Sequence, residues 1–307
     1  MKKKSLLLIV LFIAFSCSKQ KKETDLTRAN LKGEVKYYTY SNYQAEFRLG
    51  KLEKGILYSS WAYKYNEKGN EIEGVIYNSD GSLDIKYRYK YDGKGHKIKQ
   101  KFHKSDGSLD GYNTYKYNKK GNKIEENYYS SEGSLIFKNT FKYDDKGNKT
   151  ERYLFKPDGS LDAKFTFKYD KKGNEIEENS YNLDGSLNFK FTYKYNQKGN
   201  EIEENYYNSD SSLDIDHKFT SKYDNNGNKT ETINYKSDGS LYEKYTFKYD
   251  QGGNEIERNL FKSDSSLDYK QTYEYIFDAR KNWIKQTTFI DAKPVAISEQ
   301  EFKYFEK

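Results

Sequence analysis

From Leu83 the chain alternates. Leu83, Ile85, Tyr87, Tyr89 and Tyr91 are apolar, and Asp84, Lys86, Arg88 and Lys90 lie between them. Successive side chains leave a strand on opposite faces, so this period-two run of β-branched and aromatic residues predicts a half-buried strand. Asp92-Gly93-Lys94-Gly95-His96 follows and predicts a turn: Gly supplies a positive φ, and Asp or Asn can bond its own backbone two residues on. A second strand puts Ile98 and Phe102 on one face and Lys99 and Lys101 on the other. Lys104-Ser105-Asp106-Gly107-Ser108 then returns the chain. The hairpin recurs: Gly69, Gly95, Gly121, Gly147, Gly173 and Gly199 stand 26 residues apart, and Gly227 and Gly253 continue the series after a two-residue insertion near Asp216–His217. A fixed period of this length marks a repeat architecture, which displays one surface many times.

Side-chain chemistry sets a register. With four-residue loops, Tyr65 faces Ile72, Tyr91 faces Ile98, and Lys64, Lys116, Lys142, Lys168 and Lys194 face Glu73, Glu125, Glu151, Glu177 and Glu203. A one-residue slip would set Lys against Ile and Tyr against Glu throughout. One face is then a Tyr/Phe/Ile/Leu surface and the other a Lys/Glu lattice. The expected fold is all-β: an antiparallel meander of 26-residue hairpin repeats with eighteen or so strands. It coils into a spiral or barrel-like sheet with the rings inward, because a sheet twists and a wet aromatic face is unfavourable. Residues 31–62 read as an N-terminal cap repeat, 63–270 as core repeats and 271–307 as a C-terminal cap, where Trp283 and Pro294 depart from the consensus.

Composition sharpens this picture at two points. Charged residues make up 33%, a level typical of disorder, yet 33 Tyr and 18 Phe are placed periodically, so the chain folds with Tyr as its main apolar residue. The net charge of +7 falls to +4 without Lys2, Lys3 and Lys4, and Lys and Glu alternate evenly. The one-sided basic patch of a nucleic-acid binder is absent. Those three lysines, the apolar run Leu6–Phe15 and Ser16-Cys17 read as an export signal. Ala14-Phe15-Ser16-Cys17 resembles a relaxed lipobox, making Cys17, the single cysteine, the expected lipidation site. Residues 1–17 are then a lipoprotein signal peptide and 18–30 a flexible tether. Lipidation holds a protein on a membrane without spanning it.

The unit Tyr-Lys-Tyr-Asp, as in Tyr89-Lys90-Tyr91-Asp92 and, with Phe first, Phe141-Lys142-Tyr143-Asp144 and Phe247-Lys248-Tyr249-Asp250, resembles the YD repeat of the RHS family over roughly residues 60–290. Leu31-Lys32-Gly33-Glu34-Val35-Lys36 also resembles the start of repeat lipoproteins of low-GC or Bacteroidetes-type bacteria. The resemblance implies a coiled β architecture and export. Toxin function does not carry over, because the chain has too few strands for a shell around a cargo.

No residue pattern points to catalysis. His96, His103 and His217 lack metal-ligand spacing, and no cofactor is expected. Asp80–Asp84, Asp106–Asp110 and Asp158–Asp162 lack a calcium loop's spacing and match turn chemistry. The recurring serines have no elbow or neighbouring His. Adjacent pairs such as Glu177-Glu178 point to opposite strand faces, so they form no acid/base dyad.

One stripe carries the candidate binding chemistry: Tyr77, His103, Tyr129, Phe155, Tyr181, Tyr207, Tyr235 and Phe261, each eight residues after a first-turn glycine. Strict alternation puts these rings on the polar face, opposite Asp84, Asp110, Asp162 or Asp214, where they suit sugar stacking or a protein partner. A bulge near the turn would instead rotate them inward. The expected function is a non-enzymatic scaffold for binding or protein interaction, lipid-anchored at the bacterial cell envelope, on the periplasmic or surface side of the outer membrane. The alternatives are a carbohydrate-binding module using the stripe and an immunity or antitoxin-like repeat protein. The partners expected are the membrane, through the lipid, and an envelope protein or glycan; oligomeric state is left open.

Overall fold

The computed structural model describes residues 24–209 and 213–306, with residues 213–217 in backbone only. Cys17 and the expected signal peptide lie outside the described residues. After a one-turn helix, α1 (Asp25–Arg28), come twenty strands. Each pairs antiparallel with the next, and the first, β1 (Val35–Arg48), pairs with both β2 (Lys51–Tyr65) and the last, β20 (Lys293–Tyr304). The meander therefore closes into a barrel and leaves no long free edge along its core. β1 and β20 form this closing seam.

The expected ion-pair register holds at Lys64↔Glu73, Lys116↔Glu125, Lys142↔Glu151, Lys168↔Glu177 and Lys194↔Glu203. The aromatic register differs. Tyr65 pairs with Glu71 and Tyr91 with Lys97, not with Ile72 and Ile98, because a bulge follows Lys64↔Glu73 and Lys90↔Lys99. Its cause is the turn, which spans five residues rather than four: the Asp92 Oδ1 accepts from the backbone N–H of both Lys94 and His96. The extra residue is the isoleucine, and Ile72, Ile124 and Ile256 are left over a third exposed. At the second turn the side chain of Asp80 likewise accepts from Ser82 N–H at 2.8 Å. Where the repeat has lost its glycine, Ser265 and Lys281 adopt positive φ (68° and 65°). The two-residue insertion falls in β14 (Leu213–Tyr223), where four residues bulge between the pairs Asn205↔Lys218 and Tyr207↔Leu213.

Ring positions identify the concave face. Strands two apart are separated by about 9.5 Å, yet the rings of Tyr63 and Tyr87 approach to 6.5 Å and those of Phe165 and Phe189 to 6.3 Å. Only converging side chains meet this way, so the aromatic face points inward. Ring contacts between strands, among the described residues, join strands one or two apart, and few apolar residues are buried outright: Leu26, Val35, Ala62, Tyr65, Phe167 and Ile297. The barrel is lined with rings, not filled by a solid core.

Among the described residues, the first turns lie on one rim and the second turns on the other. At the first-turn rim, α1 docks beside the seam. Leu26 N–H donates to Gly69 O, Asp25 accepts from Glu71 N–H and from the Tyr91 hydroxyl, and Leu26 packs with Val35 and Tyr65. Asn282 exchanges hydrogen bonds with the backbone of Lys32. Residues 24–30 of the stretch expected as tether are thus seated on the barrel.

Candidate functional site

The outer face is built from carboxylates that each join cations of two strands. Glu177 accepts from Lys168 at 2.7 Å and Lys190 at 3.1 Å, and Glu257 from Lys248 and Lys270, both at 2.8 Å. Glu73 holds Lys64, Lys86 and Arg88. At Glu177 and Glu257 an asparagine completes the set: the buried Asn179 donates to Glu177 and to Thr166, and the half-buried Asn259 to Glu257 and Thr246. These bonds from Lys248, Lys270 and Asn259 hold the Glu257 carboxyl down at about 2. Ion pairs of this kind solvate the surface and fix the register.

The aromatic stripe lies on this outer face, next to the second turns. The bulge expected to rotate the rings instead removes the acid: Tyr77 faces Leu83, Tyr129 faces Leu135, Phe155 faces Leu161, Tyr181 faces Leu187, and Phe261 faces Leu267. Asp84, Asp110 and Asp162 are the bulged residues, so the expected ring–aspartate pairing does not form. Asp110 and Asp162 lie 3.7 Å from Lys104 and Lys156 instead. On their other side the rings meet lysines, as in Lys164↔Tyr181, Lys190↔Tyr207, Lys218↔Tyr235 and Lys244↔Phe261. Lys164, Lys218 and Lys244 place their ammonium groups 5.7, 5.7 and 5.6 Å from those ring centroids. Tyr129 stacks on Tyr112 at 4.9 Å. The row therefore repeats lysine, ring and leucine around the barrel, with Ser60 and Tyr112 in the lysine place beside Tyr77 and Tyr129, and each ring is half-buried. Of the other histidines, His96 serves its turn, bonding Asp92 and stacking on Tyr117.

Rings and ions are not cleanly sorted, which corrects the two-face expectation. The first-turn bulge swings one polar residue per repeat inward. Lys97 lies 3.4 Å from the centroid of the Tyr89 ring, and Lys149 lies 3.7 Å from that of Phe167. Glu178 joins this inner band between Phe167 and Phe191. Burial raises the carboxyls of Glu175, Glu178 and Glu201 and lowers the ammonium groups of Lys97 and Lys149. Glu178 was legible as the ring-face partner of Glu177. The inward turn of Lys97 depends on the bulge, which no residue type announces.

No family model and no curated protein matches the sequence. Among solved structures, the chain is similar to the Photorhabdus luminescens Tc holotoxin pore (TM-score 0.42, 11% identity), over 77% of this chain and 14% of that one. It thus spans about a seventh of that protein's length. A porin-like protein from Bacteroides uniformis is similar at TM-score 0.35 and 13% identity, over 89% of this chain and 98% of that one. TcdB2-TccC3 without its hypervariable C-terminal region gives TM-score 0.33 and 13% identity, over 90% and 17%. Likeness this slight carries no argument about activity.

Proposed function

We propose that the protein is a non-enzymatic, lipid-anchored β-repeat scaffold of the bacterial cell envelope that engages a partner through its outer face. The observation carrying this reading is the row of lysine, ring and leucine repeated at the same height of the wall. Polar and apolar contacts recur there at two-strand intervals, about 9.5 Å, a spacing suited to a partner that is itself extended or repetitive. The Lys/Glu outer wall also differs from the apolar band that a lipid-spanning barrel presents, which supports an aqueous setting. A second reading, carbohydrate binding, is favoured by the stripe's outward orientation, because half-exposed rings offer faces to sugars. Affinity capture from envelope extracts and a glycan array separate the two. Tyr181→Ala combined with Tyr207→Ala is expected to weaken the captured interaction at least tenfold, roughly the loss of two ring contacts. Unchanged capture by a folded double variant would sink the stripe as the binding surface.

A further inference from the structure

The β1–β2 hairpin overshoots the barrel. Pairing of β1 with β20 stops at Gln44↔Ala296, just before Pro294, and pairing of β2 with the next strand, β3 (Glu71–Tyr77), starts only at Ser60. Ala45–Arg48 and the facing part of β2 thus stand alone, about 13 Å beyond their neighbours at ~3.3 Å per residue. Two bulges, near Tyr43 and Ala45, twist this ribbon, which discourages edge-to-edge pairing with another strand.

The tip is chemically unlike every other second turn. Those carry an acid, with serine at Asp80, Asp106, Glu132, Asp158, Asp184, Asp210, Asp238 and Asp264, and with alanine at Asp291. The outermost residues here, Phe47-Arg48-Leu49-Gly50-Lys51-Leu52, hold three apolar side chains, two cations and no acid. Phe47 is 67% exposed and Leu49 is fully exposed. Leu49 also takes φ 50° beside Gly50 at 77°, a two-residue hairpin loop in which Asn or Gly is the unstrained choice. A bulky residue held in the left-handed region, with nothing covering it, is an outlier that points to function.

We propose that this tip docks onto a lipid bilayer bearing anionic headgroups. Phe47, Leu49 and Leu52 enter the headgroup–acyl boundary while Arg48 and Lys51 stay at headgroup level. That division follows the amphiphilic pattern of interfacial anchors; Lys51 complements the lipid charge, joined by Arg48 as it exchanges its exposed ion pair with Glu46 (2.9 Å) for a headgroup. Glu46 and Glu53, paired one rung behind, remain in water.

The test uses the full chain with Cys17→Ser, so that an introduced cysteine is the single thiol. An environment-sensitive fluorophore is attached at Leu49→Cys, or at Ser105→Cys on an ordinary second turn as control. Vesicles of phosphatidylcholine, alone or mixed with phosphatidylglycerol, are titrated in. The tip label is expected to brighten and shift blue on phosphatidylglycerol vesicles while the control stays unchanged. Arg48→Glu with Lys51→Glu should raise the lipid concentration at half-signal by tenfold or more, from loss and reversal of two headgroup attractions of about 1 kcal/mol each. Circular dichroism checks that the variant is folded. An unresponsive tip label, equal responses at both labels, or a blue shift produced by added unlabelled protein without lipid would overturn the proposal.

Discussion

Gly74 lies in β3 directly beneath the Tyr87 ring, where an added Cβ would sit 2.2 Å from two ring carbons. Real contacts are never that short, so in Gly74→Ala the ring must leave. Tyr87 contacts Tyr63 at 6.5 Å and Tyr89 at 5.4 Å, each such contact contributing about 0.5–1.5 kcal/mol. A displaced ring adds about 0.5–1.5 kcal/mol of rotamer strain. The expected loss is therefore about 2–4 kcal/mol, read as a lower urea midpoint at unchanged slope. The same substitution in a Tyr87→Ala background should behave oppositely. With the ring gone, Ala in a strand is better than Gly by about 0.5–1 kcal/mol. The double-mutant cycle should thus show a coupling of about 3 kcal/mol or more. Equal costs in both backgrounds would refute the reasoning, because they would place the obstacle in the backbone instead of the ring.

Three further outcomes follow from named groups. Glu257 is held at about 2 against an ordinary 4.5, so its ion pairs stabilise fully above pH 4.5 and are lost as pH falls towards 2. Glu257→Gln should lower stability by about 1 kcal/mol at pH 7 and by nothing near pH 2, measured by denaturation across pH. Glu71 shows the reverse. Burial under α1, opposed by Lys97 and reinforced by Asp25, raises its carboxyl to about 7. It is neutral in both states below pH 4.5, and its penalty grows as pH climbs from 4.5 to 7. Glu71→Gln should slow amide exchange of residues 24–30 at pH 8 but leave it unchanged at pH 4; equal effects at both would remove titration as the cause. Ser265→Gly, at a position where most repeats carry glycine and φ is 68°, should stabilise by about 0.5–1 kcal/mol in thermal unfolding.

The Lys–Glu ladder was legible because both partners recur at fixed offsets, so a wrong register would fail in every repeat at once. Closure was only half legible. Residues 31–62 read as a cap repeat, but nothing in the order of their tyrosines says that β1 pairs with β20, as in Tyr40↔Gln300 and Tyr43↔Ile297. That contact joins residues at opposite ends of the sequence and depends on the accumulated twist of all twenty strands. The bulges were illegible for another reason. They arise from bonds such as Asp92 Oδ1 to His96 N–H, and the same residue letters also fit a four-residue loop. At the first turns this one-residue difference moved Lys97 inward and exposed Ile72; separate bulges at the second turns replaced the expected aspartates opposite the stripe with leucines. The stripe's rings therefore lie on the expected outer face, but with leucines where aspartates were expected.

Closure with an even number of strands also fixes a polarity. An up-and-down barrel of twenty strands returns to the rim it left, so the start of β1 and the end of β20 share the first-turn rim, where α1 docks too. The stripe and the hairpin tip belong to the opposite half. Attachment through Cys17, as proposed, would leave Ser18–Glu23 to bridge membrane and barrel, a reach of at most about 21 Å. β1 alone is about 46 Å long at ~3.3 Å per residue. A barrel standing upright on such a linker holds its tip far above the anchoring bilayer, and the tip then meets a second lipid surface. A barrel lying on its side brings tip and anchor to one bilayer and turns part of the stripe towards the headgroups. Fluorophores at Leu49→Cys and at Lys171→Cys on the first-turn rim of the anchored protein distinguish these geometries. Joint burial on a single vesicle requires the lying barrel. Burial of the tip only when vesicles are bridged requires the standing one.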